Sequence, residues 1–313
     1  DFPQFYNATA ILWNYGVCSM YPPGHSMMLA IGEFFHVAWL IGPLLGAMTV
    51  ALVFLIGSNW FERSTGLLAA LLLAVSPHFL AMSPSYFSHS TAAFWLTATL
   101  YTGLVISEMR PSMASGFSTG FCAAMTFLSR PLTAFTMGLP IGLDFLCQAI
   151  RQKQHRQILG ACIALLCMAT FFFYYNFQTT ADFFLSGYQA AGANHRLGVG
   201  GITNHTPELG FYNTLNHLWE YGRWAPGVFP SVYLLLAIWL VVGPFSRKEL
   251  VLASMWLLLP ASYFFYYWQD LSLGPRFMYE AAIPTALLSA RGTKTFVDNL
   301  CKGLGRSDSH FKH

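Results

Sequence analysis

Long apolar runs dominate this chain of 313 residues and constrain its fold more than any other feature. Only 9% of the residues are charged and 55% are hydrophobic, whereas a soluble domain has about 25% charged residues. Because a backbone in lipid must satisfy its own hydrogen bonds, only helices and closed barrels can cross a membrane. The runs lack the alternating pattern of barrel strands, so the sequence predicts an all-α polytopic membrane protein.

Nine of the apolar runs are predicted to span the membrane. They lie at about 40–57, 66–82, 88–106, 113–128, 131–149, 158–177, 227–243, 250–267 and 276–291. A shorter apolar segment at 24–37 contains Glu33 and His36 and is predicted to be an interfacial helix. The segment 113–149 also fits a re-entrant hairpin, which would change the count by one pair.

The same pattern divides the chain into five parts. These are a loop with its interfacial helix (1–39), a first transmembrane bundle (40–178), a long polar loop (179–226), a second bundle (227–291) and a polar tail (292–313). A loop as long as the third part is uncommon in compact proteins and is usually functional.

Basic residues are distributed unequally between the two predicted sides of the membrane. One set of connections holds twelve of the sixteen Lys and Arg residues and is therefore predicted to be cytoplasmic. The other side holds four, all of them arginine: Arg130, Arg196, Arg223 and Arg276. Arginine presents a planar fork that suits phosphate oxygens, although structural pairing with nearby carboxylates explains the pattern equally well. The N-terminal stretch and residues 179–226 are then extracytoplasmic.

The first 25 residues are polar, acidic and aromatic, and they contain no Lys or Arg. They include Asp1, Tyr21 and a rigid Pro-Pro-Gly turn followed by His25. A carboxylate held at a membrane surface in this way predicts part of an active site. His25 and His89 stand out among the histidines by position, and histidine there can bind phosphate, shuttle protons or bind metal.

Two arginines stand where predicted spans begin. Arg130 precedes Pro131 between two apolar runs, where an arginine is costly unless it faces a cavity or an anion. It is predicted to anchor a lipid phosphate, with a snorkelling interface arginine as the alternative. Arg276 and Glu280 are four residues apart at the start of the last run and would share one helix face. Near a helix N-terminus an anion is favoured, and an internal salt bridge is the alternative.

Together these motifs resemble bacterial lipid-carrier-dependent glycosyltransferases of the GT-C fold. The similarity is to the protein O-mannosyltransferases and aminoarabinose transferases, and more closely to the branch that modifies lipopolysaccharide cores in rhizobia. It extends over nearly the whole chain. The motifs are Asp-x-Pro at 1–3, Tyr-Pro-Pro-Gly at 21–24, Trp-Phe-Glu-Arg at 60–63, Ser-Pro-His-Phe at 76–79, Ser-His at 88–89, Ser-Arg-Pro at 129–131, His-Thr-Pro at 205–207 and Gly-Pro-Arg-Phe-Met-Tyr-Glu at 274–280.

The resemblance implies a GT-C-like bundle with extracytoplasmic loops and interfacial helices. It implies inverting transfer of a hexosyl or pentosyl group from a polyprenyl-phosphate carrier to a lipid, glycan or protein acceptor. The implied site has Asp1 as the catalytic carboxylate, Arg130 and Arg276 at the donor phosphate, and His25, His89, Glu280, Tyr21 and His205 in support.

Two departures from the family pattern are visible. Many relatives carry an acidic pair in the first loop, but Phe2 replaces its second member here. A divalent metal is therefore left open and no cofactor is assigned. Relatives also carry a span before this loop, which predicts that a further N-terminal span is missing from this sequence.

The implied location is the bacterial inner membrane, with the active site on the extracytoplasmic face and a role in the cell envelope. The expected partners are the lipid-linked donor, the acceptor and membrane lipids, and no nucleic acid. A secondary transporter or flippase of a lipid-linked substrate is the second hypothesis. It is less favoured because no clear internal repeat is present and most charges lie at the rim of the predicted spans. A non-catalytic assembly factor is the third, and the charged rim motifs argue against it.

Overall fold

The structure is a computed structural model that describes residues 11–12, 18–191, 198, 205–224, 231–266, 271 and 274–303. This part of the chain is mostly helical, as predicted. In chain order its helices are α1 (Pro23–Phe34), α2 (Ala38–Trp60), α3 (Arg63–Ala74), α4 (Pro77–Met82), α5 (His89–Tyr101), α6 (Ser107–Met109), α7 (Met113–Ser129), α8 (Pro131–Arg151), α9 (His155–Thr180), α10 (Gly187–Ala190), α11 (Pro207–Trp224), α12 (Ser231–Val242), α13 (Arg247–Tyr263) and α14 (Ala282–Gly303).

Four short elements complete the description. Strands β1 (Ile11–Leu12) and β2 (Cys18–Ser19) form an antiparallel pair. A π-helical turn, Thr102–Ile106, joins α5 to α6, and a 3-10 helix, Arg276–Ala281, leads into α14.

Within the described ranges, three helices are long and apolar enough to cross a membrane, namely α2, α8 and α9. Helix α3 and the Val232–Val242 part of α12 are apolar but shorter. The count of nine spans is therefore not confirmed by the residues described here. One reason is that apolar runs do not always form single regular helices. The run at 88–106 passes from α5 into the π-helical turn, and the last run begins as a 3-10 helix.

Proline and serine explain where several helices begin. Pro23 and Pro131 occupy the first turns of α1 and α8, where the missing N–H of proline costs nothing. Ser112 forms a capping box with Ser115 at the start of α7. The predicted segment at 24–37 is largely helical, as α1, while its position at a membrane surface stays a prediction.

Small residues bring α7 and α9 into backbone contact. A Cβ atom added to Gly116 would lie 2.0 Å from the carbonyl oxygen of Gln157, and one added to Gly160 would lie 2.1 Å from that of Met113. Membrane helices commonly associate through such small residues because these allow the two backbones to approach.

The core of the bundle surrounds the first half of α14, in which residues 282–290 are buried. The helix then continues to Gly303, twelve residues past the predicted end of the last run. Its second half is polar and pairs with other elements. Lys294 lies 3.4 Å from Glu62 and 2.6 Å from Asp298.

Ion pairs mark one end of the bundle, which we call the Arg247 end. Arg247 contacts Glu108 and lies 3.3 Å from Asp144, so it joins α13 to α6 and α8. Arg291 lies 3.4 Å from Glu249. The opposite end, which we call the Arg130 end, carries a different cluster of charges.

Candidate functional site

Arg130 is the centre of a polar cluster in which most other members are buried. Its Nη2 donates a hydrogen bond of 2.9 Å to the hydroxyl of Tyr263, and its Nη1 lies 3.1 Å from His89 Nε2 and 3.5 Å from the Ser88 hydroxyl. Its Nε lies 3.3 Å from Glu280 Oε1. Three segments other than its own therefore meet around one guanidinium group.

The contacts of His89 define which ring nitrogen carries the proton. A guanidinium group has only donors, so the Nη1 atom of Arg130 requires His89 Nε2 to accept. The neutral ring then carries its proton on Nδ1, which lies 3.3 Å from Glu280 Oε1. His89 thus bridges the cation and the carboxylate of the same cluster.

Glu280 is fully buried, with an exposed fraction of 0%. A buried carboxylate is tolerated when a cation lies beside it, and Arg130 supplies that cation. The predicted helix face shared by Arg276 and Glu280 is wrong. Residues 276–281 form a 3-10 helix with three residues per turn, so residues four apart point in different directions and Glu280 faces Arg130 and His89.

Arg276 instead lies against aromatic rings. Its guanidinium carbon is 4.6 Å from the ring centre of Phe87 and 5.4 Å from that of Phe277. The guanidinium carbon of Arg130 is 5.8 Å from the same Phe277 ring, which stacks on Tyr263 at 4.8 Å. Both predicted donor-phosphate arginines are therefore beside one aromatic ring, where cation–π attraction contributes to their placement.

Local structure explains how these side chains converge. Arg130 is the single residue between α7 and α8 and is extended, which directs its side chain away from both helix axes. His89 begins α5 and Tyr263 ends α13. All of these are helix ends at one side of the bundle, so their polar groups gather there.

His25 fastens α1 to this end of the bundle. Its Nδ1 lies 2.8 Å from the Thr91 hydroxyl and its Nε2 lies 2.8 Å from the Tyr86 carbonyl oxygen. Because a carbonyl only accepts, Nε2 carries the proton. Burial lowers the pKa of the imidazole, and the bond to Tyr86 partly offsets that effect. These contacts indicate a positioning role, because Thr91 lies in the first turn of α5, the helix that His89 begins.

The other predicted site residues are less central. Tyr21 is 46% exposed and meets Tyr188 edge to face at 5.7 Å. His205 is buried and lies 2.9 Å from the Phe264 carbonyl oxygen, so it ties the start of α11 to the end of α13. Asp1 lies outside the described residues.

Three members of the site were not predicted. Tyr263 is 133 residues from Arg130 in sequence. Ser88 belongs to the Ser-His motif at 88–89 but was given no role of its own, and Tyr188 gave no distinguishing signal as a single polar residue. Tyr188 is near enough to Arg130 for the two groups to interact electrostatically. The one sequence signal that could have identified Tyr263 is the group of aromatic residues within the run at 250–267. That group looks the same as the aromatic residues of a hydrophobic core.

Among the described residues no group of three or more His, Cys, Asp or Glu side chains has the geometry to hold a metal ion. The first loop, where the acidic pair of many relatives is replaced, lies mostly outside that part of the chain.

Comparison with solved structures gives three similar folds. ArnT from Cupriavidus metallidurans in the apo state matches with a TM-score of 0.61 at 16% identity, over 93% of this chain and 54% of that one. The same protein bound to undecaprenyl phosphate gives 0.59 at 13% identity, over 96% and 56%. The apo oligosaccharyltransferase of Archaeoglobus fulgidus gives 0.59 at 15% identity, over 95% and 45%.

This chain therefore spans about half the length of the structures that it matches. No curated protein sequence matches it significantly. A family model described as dolichyl-phosphate-mannose-protein mannosyltransferase matches residues 25–181, which is half of the chain. The apolar helices of this chain are those of an integral membrane protein. The chain belongs to this mannosyltransferase family and has the GT-C fold.

Proposed function

We propose that the chain belongs to a membrane glycosyltransferase that moves a sugar from a polyprenyl-phosphate carrier to an extracytoplasmic acceptor. The reaction takes place at the Arg130 end, on the outer face of the bacterial inner membrane. The observation that carries this proposal is the cluster of Arg130, His89 and Glu280 with Arg276 beside it. The family match supports a lipid-phosphate donor, as does the similar fold of an ArnT bound to undecaprenyl phosphate.

The reaction needs one bond broken and one formed at the anomeric carbon of the sugar. The bond to the phosphate oxygen breaks, and the acceptor oxygen attacks from the opposite face, so the configuration inverts. The acceptor proton passes to a carboxylate, for which Asp1 is the candidate. Glu280 is a poor candidate because it is fully buried and faces Arg130 and His89.

The two arginines contribute differently to binding the donor phosphate. Three of the four polar groups around Arg130 lie at its Nε and Nη1 atoms and the fourth at Nη2. Within the part of the chain that the structure describes, these contacts already engage most sides of the Arg130 guanidinium group. In this proposal Arg130 supplies mostly charge, and Arg276 contacts the phosphate directly. Preorganised cations of this kind stabilise the negative charge that develops on the departing phosphate.

Transfer by purified full-length protein tests the proposal, with undecaprenyl-phosphate-linked sugars as donors. We expect Arg276→Ala to lower turnover or donor affinity roughly ten- to a hundredfold, as for the loss of a hydrogen bond to a charged group. Arg276→Lys should restore only part of it, because lysine lacks the two-pronged donor geometry. Asp1→Asn should abolish transfer and leave donor binding intact.

Arg223→Ala is the matched control, because Arg223 is 58% exposed and pairs with Glu220 on the surface of α11. It should leave transfer unchanged. Full activity of Arg276→Ala would refute its role at the phosphate. A protein that moves the intact donor across vesicles and releases no polyprenyl phosphate would be a flippase, and the transferase proposal would fail.

A further inference from the structure

A turn rich in cations joins α8 to α9 at the Arg247 end of the bundle. Between the last residue of α8 and the first turn of α9, four basic or imidazole side chains are exposed, namely Arg151, Lys153, His155 and Arg156. The segment 145–181 contains no Asp or Glu. Arg151 interacts electrostatically with the preceding carboxylate, Asp144. The turn therefore carries an excess of positive charge that the proposed chemistry does not use.

The lengths of the two helices place this turn at a membrane surface. Helix α8 has 21 residues and α9 has 26, and both are apolar enough to cross a membrane. At 1.5 Å per residue α8 is about 31 Å long, close to the thickness of the hydrocarbon core. Because α8 begins directly after Arg130, its far end lies across the bilayer from the Arg130 cluster, at the level of the lipid headgroups.

The turn between α6 and α7 lies beside the turn between α8 and α9. The side-chain amide of Gln157 donates a hydrogen bond of 2.8 Å to the Ser107 carbonyl oxygen. A Cβ atom added to Gly160 would lie 2.1 Å from the carbonyl oxygen of Met113. Arg110 lies between these two contacts in sequence and is exposed, so it adds a further cation to the same surface.

The cations of these two turns lack carboxylate partners within the chain. Arg110, Lys153 and Arg156 form no ion pair among the residues that the structure describes. Other cations at the same end are neutralised, since Arg247 lies 3.3 Å from a carboxylate oxygen and Arg291 lies 3.4 Å from another. The unneutralised charge is thus confined to the two turns, where an anion from outside the chain can approach it.

Apolar side chains are exposed next to these cations. Met109, Met113, Ile150 and Leu159 are 62%, 44%, 57% and 54% exposed. A surface that is both basic and apolar at the level of the headgroups fits an anionic lipid, whose phosphate meets the cations while its acyl chains cover the apolar groups. An acidic protein or a nucleic acid would match the charge alone.

The backbone of Lys153 gives an independent reason to expect a use for its ammonium group. Its φ is 56°, and its N–H bonds to the Ile150 carbonyl oxygen at 3.0 Å at the end of α8. Glycine is the usual residue in this left-handed position, because a Cβ atom disfavours it. A lysine here costs folding stability that a glycine would not, and an anion bound by the ammonium group would offset that cost.

We propose that the turns between α6 and α7 and between α8 and α9 together bind the headgroup of an anionic phospholipid. Arg110, Lys153 and Arg156 contact its phosphodiester, and its acyl chains lie against the exposed side chains of Met113 and Leu159. The site lies across the bilayer from the proposed reaction and does not depend on it. A lipid bound there fastens the packed pair of α7 and α9 to the membrane surface.

Thermal unfolding of the full-length protein in maltoside micelles tests this site. Short-chain phosphatidylglycerol is titrated in, with phosphatidylcholine of the same chains and glycerol phosphate as the comparisons. We expect only phosphatidylglycerol to raise the melting temperature, and to do so saturably, because a ligand that binds the folded state stabilises it. The variant Arg110→Gln/Arg156→Gln should bind it about twenty- to thirtyfold more weakly, at about fivefold for each cation lost near an anionic headgroup.

Lys153→Gly is the decisive variant, because glycine suits the backbone and preserves the fold. Without lipid its melting temperature should equal or exceed that of the wild type, while its affinity for phosphatidylglycerol falls about fivefold. Lys302→Gln is the matched control, since Lys302 is an exposed cation on α14, which packs against α3, α12 and α13. It should leave the affinity unchanged.

Several results would overturn the proposal. Equal stabilisation by phosphatidylcholine would show that headgroup charge is not recognised, and stabilisation by glycerol phosphate alone would indicate a site for a soluble phosphate. An unchanged affinity in Lys153→Gly would exclude its ammonium group, even if the double variant failed to fold. An equal loss in Lys302→Gln would reduce the effect to general surface charge. None of these results bears on sugar transfer, so the proposed function stands or falls separately.

Discussion

Glu280 is the residue at which charge and burial conflict most strongly. Its carboxylate has no exposed surface, and the one cation in contact with it within the described residues is Arg130, at 3.3 Å. Removing a charge from water costs several kcal/mol of free energy, and the attraction of a nearby opposite charge offsets much of it. The pair therefore has to be considered as a unit, in which either residue alone would leave an uncompensated charge inside the bundle.

This coupling predicts opposite effects for single and double substitutions. We expect Arg130→Met to lower the free energy of unfolding by about 3–5 kcal/mol, because it leaves Glu280 unpaired. The double variant Arg130→Met/Glu280→Leu should recover most of that stability but no transfer activity. Unfolding in detergent micelles followed by circular dichroism measures the first effect, and the transfer assay measures the second.

The surface pair of Arg223 and Glu220 provides the comparison. Arg223→Met should cost less than about 1 kcal/mol, as for exposed ion pairs. An Arg130→Met variant as stable as the wild type would show that Glu280 does not depend on this cation. Recovery of transfer activity in the double variant would show that Arg130 is not part of the donor site.

Sequence alone identified the charged members of the cluster but not their pairing. Arg130 and Glu280 stood out because charges are rare in this apolar chain, and His89 stood out among the ten histidines by its position. The prediction that Glu280 and Arg276 share one helix face was wrong because it assumed an α-helix where the chain forms a 3-10 helix. Tyr263 was missed because its contact joins positions 133 residues apart, and one sequence carries no record of such distant proximity.

At the scale of helices, glycine has two different roles in this bundle. Gly160 lies where α7 and α9 touch, and an added Cβ would be 2.1 Å from a backbone oxygen. Gly138 is also inside a helix, α8, yet nothing lies within 4 Å of an added Cβ there. The first glycine is required by packing, whereas the second only lowers the helix propensity of α8.

This difference predicts opposite signs for the same substitution. Gly160→Ala should destabilise the protein by about 1–3 kcal/mol, because a backbone carbonyl cannot move aside as a side chain can. Gly138→Ala should be neutral or should stabilise it by up to about 1 kcal/mol. Thermal unfolding of the two variants at matched detergent concentration measures both. Equal effects of the two substitutions would mean that α7 and α9 are not in close contact.

Helix positions were easier to predict from sequence than helix forms. The apolar runs at 40–57, 131–149 and 158–177 fall inside α2, α8 and α9. The π-helical turn after α5 could not be predicted, because it depends on packing around Thr102–Ile106 and not on local composition. The last helix was predicted to end near 291 because the apolar pattern stops there. It continues to Gly303, and Lys294 within the extension pairs with Glu62.

At the scale of the whole molecule the two ends of the bundle differ in chemistry. The Arg247 end carries ion pairs between helices, including Arg247 with Glu108 and Asp144. The Arg130 end carries the buried cluster and the contact between α1 and the segment before α5. The basic residues assigned to the cytoplasm, such as Arg110 and Arg151, follow helices that lead to the Arg247 end. The proposed reaction therefore requires the Arg130 end to face outward.

Labelling of introduced cysteines on intact cells tests this orientation. In a variant whose six native cysteines are replaced, Glu208→Cys at the start of α11 should react with a membrane-impermeant maleimide. Gln152→Cys, between α8 and α9, should react only after the cells are lysed. Both positions are exposed, so burial cannot explain a difference between them. The expected result follows from the split of basic residues, twelve against four. Labelling of Gln152→Cys from outside would show that the bundle has the opposite orientation. The Arg130 cluster would then face the cytoplasm, where an extracytoplasmic acceptor cannot reach it.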